Sequence, residues 1–520
     1  MPRKSSVPWL LIALFALALF ARLLPGPRTI DDAYITFRYA RNILEGFGFV
    51  YNPSQPVLGT TTPLFTFLLA LLALPFGAAN ASFPLLALAV SAIADALTTV
   101  LLYALGRQLG SRPAGVAVAL IWAIAPFSVT FAIGGLETSV YVLLLVGMLW
   151  AYLNDRVPLA AGLGAAAILT RPDAVLLVGP LLAWHAMRSQ PNFLRRDFWR
   201  ANSKAILVFA LPLLAWGLFA WLYFGSPLPQ SVAAKSTAYR PEVLGVLSNF
   251  VNHFATPFLE HLTFGSAWLR AGLWLYPFLF IAGAWAVLKQ RPEVWPFVLF
   301  PWLHFITFSI ANPLIFRWYL TPPLPFYILF IALGVHTLAM RIKARIRIGD
   351  APPARALAVL LILLPFLSTL HGWTLRPAQP PARPAPHMAW IELELLYAQA
   401  AEIVQSAIHT SAERITVAAA DVGVLGYQLP EARILDLVGL NSKETLPYYP
   451  LDPALYGDFQ YAVAPDLVMD QLPDYVIILE IYGRSGLLLD PRFQSAYERT
   501  HFWPTDIYGS GGLALYQRLP

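Results

Sequence analysis

The sequence contains no cysteine and very little charge. Without cysteine, the protein has no disulfides, thiol catalysis, cysteine-ligated zinc or iron–sulfur clusters. Only 12% of its 520 residues are charged and 58% are hydrophobic, with a mean hydropathy of +0.60, whereas soluble globular domains carry roughly 25% charged residues. A deficit of charge over most of such a long chain indicates a membrane protein.

Several sequence motifs are also missing. There is no Walker-type phosphate loop and no HExxH, which argues against ATP hydrolysis and zinc proteolysis. His253, Glu260 and His261 lie close together in the sequence, but their spacing matches no established metal motif. No basic tract with interleaved aromatic residues is present, so we expect no nucleic-acid partner.

Long apolar runs recur along the chain. A membrane-spanning helix needs about 20 mostly apolar residues, and by this rule we predict about eleven spans, two of them short helices in a hairpin broken at residues 170–173. The first run could be a cleaved signal peptide, but the apolar runs that follow favour a transmembrane helix. The predicted spans are 7–24, 83–105, 114–131, 138–153, the hairpin 158–187, 205–224, 269–288, 294–310, 318–340 and 356–370.

Basic loops set the predicted orientation, because short cytoplasmic loops are enriched in Lys and Arg. The apolar run 63–76 is too short to span the bilayer, and its crossing would place every later basic loop outside. We therefore predict an interfacial or re-entrant helix on the outer face, with a cytoplasmic N-terminus. The basic loops assigned to the cytoplasm contain Arg3/Lys4, Arg107/Arg112, Arg156, residues 188–204, Lys289/Arg291 and residues 341–347.

These features predict a multi-pass α-helical membrane protein with a C-terminal extracytoplasmic α/β or α+β domain. Residues 1–373 form the transmembrane domain, with outer loops 25–62 and 225–268, and residues 374–386 form a proline-rich linker. Residues 387–520 form the soluble domain, because a helical pattern at 388–409 is followed by short apolar runs between turn residues. Those runs are 415–420, 434–438, 475–479 and 513–516.

Asp31 and Asp32 lie just beyond the first predicted span, at the start of a helical pattern that ends near Gly46 and Gly48. Helix capping explains one such aspartate but does not require two. A carboxylate near apolar surface can have a raised pKa, which suits a general base. Asp421 and Asp436 also follow apolar runs, and turn chemistry accounts for both.

Several basic residues fall on the predicted outer side, against the orientation bias. For any one of them, snorkelling of a side chain at a span end is the ordinary explanation, but together they could bind an anion, since Arg matches phosphate oxygens. We assign donor-phosphate binding to Arg171, Lys235 and Arg317. Glu137 begins a predicted span, where the helix dipole alone favours an acid.

The stretch from Asp31 to Pro63, DDAYITFRYARNILEGFGFVYNPSQPVLGTTTP, resembles the GT-C glycosyltransferase superfamily, and within it the bacterial arabinofuranosyltransferase-type members. Shorter motifs support the resemblance, which covers nearly the whole chain. They are Gly135-Leu136-Glu137-Thr138, Leu169-Thr170-Arg171-Pro172-Asp173, the stretch from Tyr223 to Lys235, and Ala420-Asp421-Val422-Gly423-Val424-Leu425-Gly426-Tyr427.

The resemblance implies a polyprenyl-phosphate-sugar donor and an acidic base in the first outer loop, so the catalytic candidates are Asp31 and Asp32, with Asp31 preferred. Tyr34, Arg38 and Glu137 are the candidates for substrate binding. The acceptor expected from this resemblance is a glycan, lipid or protein of the bacterial cell envelope.

The pair Asp31 and Asp32 could also hold Mg²⁺, Mn²⁺ or Ca²⁺ through oxygen ligands, and the sequence leaves this open. The main alternative function is a transporter or flippase of an envelope lipid or glycan, although paired halves with interrupted helices are not evident. A third alternative is a non-catalytic sensor or scaffold.

Overall fold

The computed structural model describes residues 7–189, 196–346, 364–375, 382–389, 391–409 and 414–520. The chain forms two compact units. Several sequence predictions lie wholly or partly outside the described residues. They concern Arg3 and Lys4, the basic segments 188–204 and 341–347, the last span 356–370 and the linker 374–386.

Unit 1 comprises Met1–Arg28, Ala87–Leu214 and Leu244–Trp390, and its described residues are almost entirely helical. A short antiparallel pair, β1 (Trp373–Thr374) and β2 (Ala385–Pro386), lies near its end. Its helices, two of which are shared with unit 2, are Val7–Leu23, Phe83–Gln108, Arg112–Ile124, Pro126–Ile133, Thr138–Leu153, Val157–Thr170, Val175–Ser189, Arg196–Phe224, Gly245–Ala255, Glu260–Phe264, Ala267–Leu288, Trp295–Ala311, Leu324–Ile346 and residues 364–371.

Five helices among the described residues are long and apolar enough to cross a membrane, or six if one bent pair counts as a single span. In that pair Arg112–Ile124 and Pro126–Ile133 meet at an angle of 43°, because Pro126 cannot continue the hydrogen-bond ladder of the preceding helix. The predicted hairpin breaks at Arg171, where a short 3₁₀ helix begins at Pro172. The total of about eleven spans stays a prediction.

Small residues let two long helices of unit 1 approach closely. A methyl group added at Gly283 would clash with the carbonyl of Phe330, and one added at Gly334 would clash with the carbonyl of Leu279. Small residues at helix contacts are a common packing device in membranes, since lipid provides no hydrophobic drive for association. The helices Ala267–Leu288 and Leu324–Ile346 therefore pack backbone against backbone.

Arg22, in the last turn of the helix Val7–Leu23, is fully buried within unit 1. Its Nε donates to Asp95 Oδ2 at 3.1 Å, and that carboxylate also accepts from Ser139 Oγ and Trp122 Nε1. A buried charge is tolerated only when it is paired and hydrogen-bonded. This pair is thus a satisfied structural element of the helix bundle.

Unit 2 comprises Thr29–Leu86, Ala215–Val243 and Ile391–Pro520. Its sheet has the order β4-β3-β5-β7-β6, with β3 parallel to β4 and β5, and with β7 antiparallel to β5 and β6. The strands are β3 (Thr416–Ala419), β4 (Arg433–Asp436), β5 (Tyr475–Leu479), β6 (Tyr497–Pro504) and β7 (Gly512–Arg518), and the longer helices are Asp31–Leu44, Pro63–Ala73, Gln230–Ala238 and Glu392–Ile408, with shorter ones at Gly423–Gln428, Pro453–Tyr456, Pro465–Gln471, Glu480–Gly483 and Pro491–Ala496.

The C-terminal sheet confirms the prediction of a C-terminal domain that mixes helices and strands. All five residues of β5 are buried, because a parallel strand in the middle of a sheet is covered on both faces. The predicted apolar runs coincide with β3, β4, β5 and β7. The extracytoplasmic location of this domain, and its boundary at residue 387, stay proposals.

The helix Asp31–Leu44 belongs to the same unit as this sheet. It is followed by Gly46 and Gly48, which have φ values of 83° and 87°, in the left-handed region that glycine adopts without steric cost. The helix therefore ends where the sequence predicts. Its first residue, Asp31, contacts the loop that follows β3.

Candidate active site

Asp31 is the first residue of its helix and is 7% exposed. Its Oδ2 accepts a hydrogen bond from the Gly423 amide at 2.9 Å, and its Oδ1 accepts one from the Val424 amide at 2.8 Å. These amides begin the helix Gly423–Gln428, and such free N–H groups need an acceptor. The Asp31 carboxylate therefore caps a helix that lies almost 400 residues away in the sequence.

Gly423 is required for this contact. A Cβ atom at this position would collide with the main-chain carbonyl of Asp31. The absence of a side chain lets the two chain segments approach closely enough for both amide hydrogen bonds. The glycine of the Asp421-Val422-Gly423 motif thus has a packing role as well as a turn role.

Asp32 differs from its neighbour in its surroundings. Its side chain is half-buried, and among the residues that the structure describes no group donates a hydrogen bond to its carboxylate. Its negative charge contributes to the raised pKa values of Asp421 and Glu394. Asp32 is therefore an accessible carboxylate with oxygens available to a ligand.

Asp421 follows β3 and is half-buried. Its Oδ2 accepts hydrogen bonds from the hydroxyls of Tyr397 at 2.9 Å and Tyr482 at 3.2 Å, while its Oδ1 has no partner among the described residues. Burial, with the charge of Asp32 acting in the same direction, raises its pKa to about 6, although the two tyrosine hydrogen bonds oppose this.

Glu394 completes a group of four carboxylates, which we call the acid cluster: Asp31, Asp32, Glu394 and Asp421. The Oε1 of Glu394 accepts a hydrogen bond from the Asp31 amide at 3.1 Å, and its buried Oε2 has no hydrogen-bond partner among the described residues. Burial raises its pKa to about 7. Burial and the charge of Asp421 raise the pKa of Asp31 well above its ordinary range, although its two amide hydrogen bonds oppose this.

Glu394 and Asp421, whose pKa values are raised to about 7 and about 6, can hold and release protons near neutral pH. Buried like charges cannot all ionise together, so part of the cluster stays protonated. A general base works best when its pKa lies near the working pH. Glu394 and Asp421 therefore have pKa values suited to proton transfer beside Asp31 and Asp32.

Asp436 was a turn residue in the sequence analysis, and the structure gives it that role. Its carboxylate accepts from the amides of Val438, Gly439 and Asn441 and from the Asn441 side chain. This satisfied carboxylate shapes the loop after β4. The sequence also predicts a turn role for Asp421. However, Asp421 lies beyond the carboxyl end of a parallel strand, where ligands bind in many α/β folds, and this position could have identified it as a candidate site residue.

The described residues contain no group of three or more His, Asp or Glu side chains that could hold a metal ion. Each oxygen of Asp31 already accepts a main-chain amide hydrogen bond, and the described residues supply no third acidic or histidine ligand for a metal ion beside Asp31 and Asp32. We therefore derive no step that uses a divalent cation.

The predicted binding residues of unit 2 have varied surroundings. Arg38 is buried and donates to the carbonyls of Tyr51, Gly426 and Ala432, so its guanidinium holds the helix Asp31–Leu44 against the C-terminal domain. Tyr34 is half-buried, with its ring 5.2 Å from that of Tyr427. Lys235 is half-buried on the helix Gln230–Ala238. Their assignments to substrate and phosphate stay predictions.

In unit 1, the predicted binding residues Arg171 and Glu137 belong to a buried network of charged side chains. Arg171 contacts Glu137 Oε1 at 3.2 Å and Asp173 Oδ1 at 2.9 Å, and its guanidinium lies 4.4 Å from the centre of the Tyr319 ring. His304 Nε2 lies 3.4 Å from Asp173 Oδ2. Two carboxylates thus neutralise Arg171, and Glu137 is part of the same network.

Arg317 is exposed at the start of the short helix Arg317–Leu320. Within the described part of the chain it makes no ion pair or side-chain hydrogen bond. Its guanidinium is available to an anion, or to the interface if it snorkels.

Comparisons with known proteins extend these observations. Residues 389–516 match a family model described as Domain of unknown function (DUF8728). The chain is also 28% identical over 249 residues to the terminal β-(1→2)-arabinofuranosyltransferase of Mycobacterium tuberculosis. That match covers 44% of this chain and 38% of the relative, so the chain spans well under half of that protein.

Solved structures match over nearly the full length. The structure of ArnT from Cupriavidus metallidurans bound to undecaprenyl phosphate has a TM-score of 0.57 and 12% identity, with 99% of each chain covered. This chain has the GT-C glycosyltransferase fold. The oligosaccharyltransferase of Archaeoglobus fulgidus, in complex with zinc and sulfate, matches with a TM-score of 0.56 and 14% identity over 97% of this chain and 72% of its own. The GT-C resemblance of the stretch from Asp31 to Pro63 is confirmed at the level of the fold.

Proposed function

We propose that this GT-C protein is a membrane glycosyltransferase that moves a sugar from a polyprenyl-phosphate donor to a glycan, lipid or protein acceptor on the extracytoplasmic face. The observation that carries the proposal is the contrast between Asp31 and Asp32. One carboxylate is fully used in capping, and its neighbour is accessible and unpaired among the described residues. The fold alone supports the reaction class only by analogy.

In the proposed reaction Asp32 is the general base. It removes the proton from the acceptor hydroxyl while that oxygen forms a bond to the anomeric carbon of the donor sugar. The bond between that carbon and the phosphate oxygen breaks, and the polyprenyl phosphate leaves with the electron pair. A phosphate is a good leaving group, so the donor needs cationic stabilisation more than a general acid.

Asp31 has a supporting role in this proposal. Its carboxylate fixes the start of the helix Gly423–Gln428, and its position at the first turn fixes the backbone of Asp32. The preference for Asp31 in the sequence analysis rested on resemblance alone. The amide partners of Asp31 support assigning the base to Asp32.

For the donor phosphate we propose Arg317 first, because its guanidinium is exposed and is not neutralised by a carboxylate within the described residues. Arg171 and Lys235 remain candidates. Arg171 carries two acidic partners, so its own charge is largely offset. Its network with Glu137 and Asp173 can instead orient the loop that joins two helices of unit 1.

A transfer assay tests the proposal. Purified protein in detergent is incubated with a panel of polyprenyl-phosphate pentofuranoses and hexoses and an octyl glycoside acceptor, and the glycosylated product is detected by mass spectrometry. The relative named above makes an arabinofuranosyl donor the first to test. Product with one donor supports the proposal. Movement of a labelled lipid across vesicles, with no product from any donor, would instead favour a flippase.

A further inference from the structure

A continuous series of aromatic side chains in unit 2 adjoins the acid cluster. Ring centres of Tyr239 and Tyr461 lie 5.3 Å apart, as do those of Tyr461 and Tyr482. Phe459 follows at 5.7 Å from Tyr482, and Tyr508 at 6.0 Å from Phe459. Because Tyr482 donates to Asp421, this aromatic series is attached directly to a carboxylate of the cluster.

Some of these rings are accessible, and others are buried and support them. Tyr461 and Tyr482 are buried, with 2% and 5% exposure, whereas Tyr508 is 47% exposed. Tyr239 and Phe459 are half-buried. The buried rings thus hold in place a second set of rings whose faces can contact a ligand.

Tyr508 has an unusual backbone conformation. Its φ of 56° lies in the left-handed region, which a bulky residue adopts only at an energetic cost and often at a functional site. The Asn or Gly usual at such a position would remove this cost. Tyr508 therefore presents an exposed aromatic ring although its backbone conformation costs energy.

The two accessible acids of the cluster, Asp32 and Asp421, raise the pKa values of two of these tyrosines. Burial, followed by the charges of Asp421 and Asp32, raises the pKa of Tyr239, and burial followed by Asp421, Glu394, Asp32 and Asp31 raises that of Tyr508. The buried Oε2 of Glu394 has no hydrogen-bond partner in the described chain. The charge of Asp32 acts on Tyr239, Tyr508, Asp421 and Glu394, so these groups lie near the proposed base.

We propose that Tyr239, Phe459, Tyr508 and the free Oδ1 of Asp421 form a subsite for a neutral sugar residue of the acceptor. The proposal rests on the glycosyltransferase function proposed above. Aromatic faces pack against the apolar faces of sugar rings, and a carboxylate accepts hydrogen bonds from sugar hydroxyls. The negative charge of the cluster repels phosphate, so an anionic acceptor and the phosphate end of the donor are both disfavoured here.

The acceptor is favoured over the donor sugar because the base must contact the acceptor hydroxyl directly. The donor sugar remains bonded to its phosphate until transfer, and that phosphate needs cations rather than acids. The subsite therefore predicts selectivity for neutral over phosphorylated acceptors.

The test measures KM for a neutral octyl pentofuranoside and for the same glycoside carrying a phosphate. We expect Tyr508→Leu to raise KM for the neutral acceptor roughly ten-fold, whereas Tyr508→Phe and the control Tyr516→Leu change it less than about two-fold. Tyr516 is a half-buried tyrosine of the same sheet and lies opposite Val476, near the start of β5. In the Asp421→Asn variant, the discrimination against the phosphorylated acceptor should decrease.

Binding without turnover separates this inference from the proposed function. Saturation-transfer NMR of the neutral octyl glycoside with Asp32→Asn protein should show contact with the sugar ring, and Tyr508→Leu in that background should remove it. Equal signals in both proteins would overturn the subsite, as would a rise in the KM of the donor instead of that of the acceptor. If the wild type binds the glycoside but transfers no sugar from any donor, the reaction class is wrong and the subsite stands.

Discussion

At the scale of single residues, Asp31 and Asp32 are adjacent and chemically identical but have different partners. Two amides of the C-terminal domain bind one, and among the described residues none bind the other. Sequence alone could not separate them, because the amides belong to residues almost 400 positions away. Only the folded chain shows which carboxylate is used for capping.

Capping predicts opposite effects on stability for the two residues. Asp31→Ala leaves the buried amides of Gly423 and Val424 without acceptors, and an unsatisfied buried donor costs about 1–3 kcal/mol. Asp32→Ala removes a negative charge from the acid cluster, so we expect an unchanged or slightly raised Tm. Thermal unfolding of both variants in detergent measures the difference. Equal destabilisation of both would contradict the capping role.

The titration of Glu394 also has a predicted effect on stability. Its pKa rises from 4.5 to about 7 in the folded protein, so the folded state holds this proton more tightly than the unfolded state does. The stabilising contribution of protonated Glu394 to the free energy of unfolding is therefore fully present below about pH 4.5 and is lost as pH rises toward about 7. We expect Glu394→Gln to reduce the fall in Tm across this range. An identical pH profile in wild type and variant would exclude a strongly raised pKa.

At the scale of elements, periodicity was enough for most of the helices and for four strands of the C-terminal sheet. β6 was missed because only its first residue is buried, so it has no alternating apolar pattern. The helix Asp31–Leu44 was predicted with its end, since glycines follow it. Tyr508 was missed because its interest depends on its φ value and on neighbours distant in sequence.

Packing of the helices Ala267–Leu288 and Leu324–Ile346 depends on glycine. Gly334→Ala should lower Tm, because the added methyl group would collide with the carbonyl of Leu279 and overpacking typically costs about 1–3 kcal/mol. Gly179→Ala is the matched control, since within the described chain no atom beyond its own helix backbone and chain neighbours lies within 4 Å of its added methyl group and alanine favours helix. A Gly334→Ala protein as stable as the control would show that these helices do not pack as described.

At the scale of the whole molecule, the membrane topology is a prediction from the basic loops. Tags after Gly110 and Gln290 should be cytoplasmic, and tags after Gly48 and Ala238 should be on the opposite side. Protection from a membrane-impermeant protease or label reports each position. A cytoplasmic tag after Gly48 would place the acid cluster in the wrong compartment for the proposed reaction.

The GT-C fold was recognisable from the 33-residue stretch from Asp31 to Pro63, and the full-length structural match agrees with it. The candidate site was only partly predictable. Its acids come from the start of the helix Asp31–Leu44, the helix Glu392–Ile408 and the end of β3, and no local pattern connects these segments. Arg38 and Arg171 have the positive charge that the sequence predictions required. In the folded chain, however, main-chain carbonyls accept hydrogen bonds from Arg38 and two carboxylates pair with Arg171.

The most direct test of the account compares the single-turnover rate of sugar transfer in wild type, Asp32→Asn and Asp31→Asn proteins. A general base contributes about 10²–10⁴-fold to a rate, so Asp32→Asn should slow transfer by at least about 100-fold while the protein still binds donor. Asp31→Asn keeps one amide acceptor, so its transfer should fall far less and its Tm should fall more. Wild-type transfer by Asp32→Asn, with Asp31→Asn inactive but fully folded, would contradict the assignment of the base.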